Sequence, residues 1–315
     1  MRGRLACLLA LSSAFASALA DDAPKQPFIV RTHVVAPHKV GDFVLEGARY
    51  DSANKLAGVG VRYFLPGHEE ARIDLFVYPH GQADTEAALD QGMRDFRATL
   101  EAAAKAGYYR DLAVADAVEF DVPLPPSVPV PGIAESPAPA DDAAAAPAED
   151  AADPEEAGRI AMLAGLLGAN RRVDGRLIAL HYESPGLAEG EWLLMRSRGY
   201  LFYRHLYFFK GRISAAESRI DPAAFEALAD RAMRELVPAV QAYNIGSCGD
   251  VTLYVDPDLP EREAVDALMR ELVAAQTRSE ASNCHAKSEE SEVAALAEDA
   301  DVVTIEYAPE DWGGQ

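Results

Sequence analysis

The 315-residue chain has few cysteines, few bases for its acids and no long internal apolar run, and each shortage excludes a class of protein. It holds 29 Lys and Arg against 51 Asp and Glu, a formal net charge of −22. A nucleic-acid binder needs cationic surface to neutralise phosphates, so this balance argues against one. No run approaches the roughly 20 apolar residues that cross a bilayer as a helix, so the sequence predicts no transmembrane span once its N-terminal segment is removed.

Residues 1–20 have the pattern of a secretory signal peptide. Arg2 and Arg4 form a basic start, residues 5–16 are apolar except for two serines, and Ala18-Leu19-Ala20 is a small-x-small cleavage signature. We therefore expect a mature chain that begins at Asp21 and is periplasmic or secreted. The alternative is an N-terminal membrane anchor that stays attached.

Only two of the three cysteines, Cys248 and Cys284, lie outside the predicted signal. In an exported protein a lone pair of thiols most often becomes a disulfide. The alternatives are free thiols or a metal site that adds the adjacent His285, although three ligands without a defined fourth are a weak zinc signal. The sequence predicts a Cys248–Cys284 disulfide and no metal.

Residues 121–158 have no base and no aromatic residue, but nine acids, nine prolines and eleven alanines. Such a composition cannot bury enough apolar surface to offset the entropy of ordering, so it predicts a flexible, partly polyproline-II excursion. This excursion interrupts a predicted main domain over residues 21–249, which is followed by an acidic segment at 250–315.

The remaining charge is divided unevenly between two segments. Residues 159–249 have 12 bases and 9 acids, whereas residues 250–315 have 4 bases and 17 acids. These opposite net charges predict docking of the two segments within one chain or, as an oligomer, between chains.

Hydrophobic periodicity and turn residues predict an α+β fold: an antiparallel sheet flanked by helices, with a smaller acidic α/β C-terminal segment. Asp84 and Asp221 are the predicted N-caps of the two main helices. A hairpin is expected around Gly199. The predicted strands are 43–50, 58–65, 72–78, 114–122, 176–183, 191–197, 200–210, 251–256 and 301–308; the predicted helices are 84–105, 155–167, 221–243, 260–278 and 289–298.

The order of the predicted strands and helices resembles that of a known family, and three stretches support this resemblance. They are the run 72–79 before the first helix, the Gly175 turn before 176–180, and 198–203 before the helix at 221. The chain resembles the PsbP-like and Mog-type α/β/α sandwich superfamily. The resemblance is one of element order and covers about two-thirds of the mature chain, without the excursion and the C-terminal segment. It implies a binding or assembly module, because such domains mostly serve that purpose.

Motifs of catalysis and cofactor binding are missing. The chain has no glycine-rich phosphate loop, no His-Glu-x-x-His and no Cys-x-x-Cys pair. The sequence therefore predicts neither catalytic residues nor a cofactor.

The stretch from Trp192 to Arg212 stands out because it interleaves seven aromatic residues with five bases. On one continuous strand from Tyr200, alternation would place Tyr203, His205 and Tyr207 on a common face. With His181 of the neighbouring strand, and with Arg204 nearby, these side chains predict a groove for an anionic or aromatic ligand. The alternative is a sheet whose aromatics pack against helices and whose bases pair with the protein's own acids.

Two functions follow from these observations. The first is an exported, non-catalytic binding or assembly module for a protein, an envelope component or a small ligand. The second is a hydrolase-like enzyme that uses His80, His181 or His205 as a general base in a cleft.

Overall fold

The computed structural model describes residues 29–124, 172–186, 190–249, 259–260, 263–271, 282–285, 293, 295–308 and 311. The predicted signal peptide, most of the predicted excursion, the predicted helix at 155–167 and the predicted strand at 251–256 lie outside these residues. Two helices lie wholly within the described residues, α1 Thr85–Lys105 and α2 Pro222–Ala239. Residues 263–271, inside the predicted helix at 260–278, are helical as well. The strands are β1 Arg31–Pro37, β2 Lys39–Val40, β3 Phe43–Tyr50, β4 Val59–Phe64, β5 Arg72–Pro79, β6 Arg110–Val114, β7 Val118–Glu119, β8 Val122–Pro123, β9 Arg172–Val173, β10 Gly175–Pro185, β11 Trp192–Arg204, β12 Tyr207–Ala216, β13 Gln241–Ile245, β14 Cys284–His285 and β15 Ala300–Glu306.

The largest element of the fold is a nine-stranded antiparallel sheet. Its strands follow the order β2-β3-β4-β5-β12-β11-β10-β6, with β7 also paired to β10. Apolar alternation explains these strands, since Ile73, Leu75 and Val77 of β5 are all fully buried on one face. The sheet therefore presents two faces, and each is covered differently.

Helix α1 covers one face of the large sheet. Asp84 caps it by accepting a 3.0 Å hydrogen bond from the Ala87 amide, and Leu89, Phe96 and Leu100 are buried against the strands. Their spacing of three and four residues keeps them on one side of the helix. The predicted helix and its cap are confirmed.

Helix α2 covers the other face of the same sheet, together with a second sheet. Asp221 accepts hydrogen bonds from the amides of Ala223 and Ala224, and Pro222 occupies the first turn. The helix ends at Ala239, one residue after Pro238, rather than at 243. Pro238 accounts for this early end, because a proline lacks the amide hydrogen and its ring clashes with the preceding turn of the helix.

The second sheet has the order β14-β13-β1-β15. Strand β15 pairs with β1 along its whole length, from Arg31 opposite Glu306 to Pro37 opposite Ala300. Strand β14 runs parallel to β13, and the Cys248–Cys284 disulfide fixes it there with a Cα–Cα distance of 5.8 Å. The predicted disulfide is confirmed, and the acidic C-terminal segment contributes strands to a sheet that begins at residue 31.

The predicted α+β class is wrong, because strands predominate over helices in the structure. Two physical reasons account for the difference. Strands of the C-terminal segment join β1 and β13, so one face of the large sheet is covered by a sheet as well as by a helix. The helix predicted at 289–298 is helical at the described residues 293 and 295, but its end at Leu296–Glu298 is a 3₁₀ turn.

Candidate functional site

The chain reverses at His205 and Leu206, which changes the predicted site. Both residues have positive φ, 56° and 68°, and β11 runs unbroken through Gly199 to Arg204. The predicted hairpin at Gly199 is wrong because this residue serves close packing: an added Cβ would lie 2.7 Å from the Phe96 ring. Tight turns of this kind usually carry Asn-Gly or Asp-Gly, so the residues at 205–206 did not indicate a turn.

The reversal separates residues that were expected to share a face. In the ladder Tyr203 lies opposite Phe208, and Arg204 lies opposite Tyr207. Tyr203 therefore faces α1, whereas Arg204 and Tyr207 face α2. The prediction of a common face for Tyr203, His205 and Tyr207 is wrong.

Two of the five predicted residues form hydrogen bonds with nearby backbone groups. The Tyr203 hydroxyl donates to the Gly81 carbonyl over 2.6 Å and accepts a hydrogen bond from the Ala83 amide. Arg204 donates from Nη1 to the Val237 carbonyl near the C-terminus of α2, over 2.7 Å. A guanidinium at that position satisfies a carbonyl that the helix leaves unpaired.

The other three predicted residues lie apart from one another. Tyr207 is fully buried and its hydroxyl contacts Thr32 and Tyr307, at 2.8 and 2.6 Å. Burial raises the pKa of Tyr207 well above its ordinary value. His205 is buried edge-on to Phe209, whereas His181 is exposed with Nδ1 2.7 Å from a Glu217 oxygen. The structure does not gather the five residues into one groove.

Two bases of the aromatic stretch are paired with the protein's own acids. Arg196 lies 3.7 Å from Glu217, and Arg198 lies 3.3 Å from Glu226 and 3.1 Å from Asp230. This is the alternative arrangement that the sequence left open, and it holds for these two arginines.

The three histidines proposed as general bases occupy different places. His80 packs on Phe208, with ring centroids 4.3 Å apart, on the face toward α1, and burial lowers the pKa of its imidazole. His205 and His181 belong to the opposite face. In the described part of the chain these imidazoles do not share a cleft, and no group of three His, Cys, Asp or Glu there is placed to hold a metal.

Sequence reasoning missed a groove between the C-terminal half of α1 and the large sheet, here called the α1 groove. It has a volume of about 450 Å³. Its helix side is formed by Phe96, Leu100 and Ala103, its floor by Lys210, Arg212 and Tyr182, and one end by Tyr109. The signal for it was the two-residue spacing of Lys210 and Arg212, which places both side chains on one face of β12.

Two glycines allow close packing between α1 and the sheet next to the α1 groove. A Cβ on Gly92 would lie 2.6 Å from a Leu201 methyl carbon, and a Cβ on Gly199 would meet the Phe96 ring. These two glycines leave room for the Leu201 side chain and the Phe96 ring between the helix and the sheet. Further along α1 the smaller residues Thr99 and Ala103 face the strands, and the space above Arg212 stays open.

The Lys210 ammonium lies among three aromatic rings. Its nitrogen is 5.1 Å from the Phe96 ring centroid and 5.4 Å from those of Phe76 and Tyr78. Ring faces attract a cation, but they do not neutralise it. Burial, and then the nearby charge of Arg212, lower the pKa of Lys210.

Within the described ranges, both hydrogen-bond partners of Arg212 are neutral hydroxyl groups. It donates from Nη1 to the Tyr109 hydroxyl over 2.9 Å and from Nη2 to the Tyr182 hydroxyl over 3.1 Å. Its Nε is buried and has no hydrogen-bond partner in the part of the chain that the structure describes. Burial lowers the pKa of Arg212, but the interactions with Tyr182 and Tyr109 raise it by more.

The carboxylates that line the α1 groove interact with residues other than Lys210 and Arg212. Asp74 lies opposite Arg212 in the ladder, but its oxygens accept hydrogen bonds from Nε of Arg62 and Nε of Arg72, the former over 2.8 Å. Glu70 lies 3.2 Å from Nδ1 of His68. Among the described residues, no carboxylate is within ion-pair distance of Lys210 or Arg212.

Comparisons with known proteins add no evidence on function to the geometry of the α1 groove. No family model matches the chain. Searches of curated proteins and of solved structures gave no significant match either. In the described part of the chain, no helix is long and apolar enough to span a membrane.

Proposed function

We propose that this chain is an exported, non-catalytic binding module that holds an anionic ligand in the α1 groove. The observation that carries the proposal is the pair Lys210 and Arg212, two half-buried cations side by side with no carboxylate partner among the described residues. An uncompensated charge that is removed from water is costly, so such a pair is expected to recruit an anion.

The dimensions of the site favour a small ligand over a protein partner. The volume of about 450 Å³ lies within the range of roughly 300–1,000 Å³ in which proteins bind small molecules. The groove is also walled by α1 on one side, so a flat protein surface would not reach Lys210. The PsbP-like element order supports a binding role, and the signal-like pattern of residues 1–20 supports export. No arrangement of the described histidines favours a hydrolase.

The stabilising effect of small anions tests the proposal. Acetate, benzoate and chloride would be compared at matched ionic strength by thermal unfolding of the full chain and of a Lys210→Gln/Arg212→Gln variant. A ligand present at ten times its Kd stabilises by about 1.4 kcal/mol, so an organic anion should raise the melting temperature of the wild type but not that of the double variant. Lys105→Gln, which removes an exposed base at the end of α1, is the control. Equal stabilisation of the double variant and the wild type would contradict the site.

A further inference from the structure

We infer that the ligand of the α1 groove is a monocarboxylate with an apolar body, an alkyl or aryl acid rather than a phosphate ester. This inference rests on the proposed binding function and adds the chemical class of the ligand. Three properties of the groove support it: its net charge, the hydrogen-bond donors at its floor and the apolar residues of its helix side.

The net charge of the residues that line the α1 groove matches a ligand with one negative charge. Three cations line it, Arg72, Lys210 and Arg212, against two carboxylates, Asp74 and Glu70. The net charge of this lining is +1, so a monoanion makes the groove neutral. A phosphate monoester, which is largely dianionic at neutral pH, would leave an excess negative charge close to Asp74.

The donors at the floor suit the two oxygens of a carboxylate. The hydroxyl oxygens of Tyr109 and Tyr182 already accept hydrogen bonds from Arg212, which leaves their O–H groups to donate. The Lys210 ammonium supplies further donors from the same strand face. A carboxylate oxygen accepts hydrogen bonds strongly when the donor is cationic, so the ammonium and the phenols together fit one planar acid group.

The helix side of the groove suits an apolar body. Phe96, Leu100 and Ala103 of α1 face the strands, and Met195 lies on the floor beyond Tyr182. Methionine and aromatic side chains adapt to alkyl chains and rings alike. An acid without such a body would leave these surfaces facing water, and its affinity would rest on the charge alone.

Isothermal titration of the full chain with a set of matched probes tests the ligand class. Octanoate and 3-phenylpropionate carry the charge and the two kinds of body, acetate carries the charge alone, octanol the body alone, and octyl phosphate the alternative anion. We expect octanoate or 3-phenylpropionate to bind at least about tenfold more tightly than acetate, octanol and octyl phosphate. Which of these two acids binds more tightly identifies the body as alkyl or aryl.

Two helix variants locate the apolar body. Ala103→Phe fills the α1 groove and should weaken octanoate binding by about tenfold or more while leaving acetate unchanged. Ala102→Phe adds the same ring one residue earlier, at an exposed position, and should bind octanoate as the wild type does. Thermal unfolding of both variants shows whether each is folded.

The possible failures are distinguishable. Octyl phosphate or octanol binding as tightly as octanoate would overturn the monocarboxylate class. If octanoate binds no better than acetate, yet the anion effect still disappears in Lys210→Gln/Arg212→Gln, the ligand class is wrong and the binding site stands. If octanoate binds that double variant as tightly as the wild type, both the ligand class and the site are wrong.

Discussion

The side-chain amide of Asn244 donates a 2.9 Å hydrogen bond to the carbonyl oxygen of His205. This bond joins β13 of the second sheet to the turn that ends β11 of the large sheet. The same amide also donates to the Ser282 carbonyl, and its oxygen accepts from the Thr32 hydroxyl at 2.7 Å. One fully buried side chain thus fastens the turn, the second sheet and the segment before Cys284 together.

Loss of the Asn244 amide should strongly destabilise the protein. Asn244→Leu keeps the approximate volume but leaves the carbonyls of His205 and Ser282 buried without these donors, which should lower the free energy of unfolding by about 3 kcal/mol. Urea unfolding measures the change. Thr304→Val, which removes an exposed hydrogen bond to His33, is the control and should change stability by less than about 0.5 kcal/mol. An equal effect of the two variants would contradict the role of Asn244.

A methyl group at Gly199 should disturb both the stability of the protein and the α1 groove. The new Cβ would lie 2.7 Å from the Phe96 ring, which lies over Lys210, so Gly199→Ala should cost about 1–3 kcal/mol. Gly60→Ala in β4 is the matched control, because its Cβ would be 3.4 Å from Phe76, an ordinary contact. Chemical denaturation of both variants checks the difference, and a neutral Gly199→Ala would show that α1 can move away from the sheet without loss.

The lowered pKa of Lys210 predicts a pH dependence of stability. Between its folded pKa and the unfolded value of 10.5, the unfolded chain binds more protons at this residue than the folded chain does. The contribution of Lys210 to the free energy of unfolding should therefore rise as the pH increases through that interval. The measurement is the difference in unfolding free energy between wild type and Lys210→Met, at about pH 7 and about pH 10.

Comparing the wild type with Lys210→Met largely cancels the effect of tyrosine ionisation on stability, because both proteins have the same tyrosines. One of them is Tyr78, whose pKa burial raises to about 12. The wild type should gain stability relative to Lys210→Met on going to the higher pH. A bound anion should reduce this gain, because it favours the charged ammonium. A constant difference across the interval would mean that the folded protein does not perturb this lysine.

Removal of the disulfide should weaken the attachment of β14. The bridge closes a loop with a sequence separation of 36, for which the chain-entropy model gives about 3–4 kcal/mol. Cys248→Ser/Cys284→Ser should lose that amount in urea unfolding, and the wild type should lose a similar amount when reduced. The double variant must not respond to the reductant. Intact mass should rise by two hydrogens when the wild type is reduced, and an unchanged mass would rule out the bridge.

The sequence predicted local features of this fold better than distant ones. Asp84 and Asp221 marked both helix starts, since a cap acts within a few residues of itself. The reversal at His205 and Leu206 had no such signal, because neither residue is typical of a turn with positive φ. One missed turn was enough to place Tyr203 and Tyr207 on a common face and to direct attention away from β12.

The α1 groove was only partly predictable for a similar reason. The spacing of Lys210 and Arg212 placed two bases on one strand face, which the sequence shows directly. Which acids would pair with them depended on the ladder between β12 and β5 and on the two arginines that engage Asp74. Which acids pair with these bases depends on residues distant in sequence, and hydrophobic periodicity gives no information on such contacts.

The pairing of β1 with β15 has a consequence for how the chain acquires its structure. Arg31 pairs with Glu306 in the ladder, so β1 cannot complete its pairing until residues 275 positions later have been made. Contacts so distant in sequence slow folding, because a large loop must close before they form. During synthesis, the side of β1 that pairs with β15 stays unpaired until residues 300–306 have been made. Until then, this edge of β1 can pair with strands of other chains, so it is a site at which aggregation can begin.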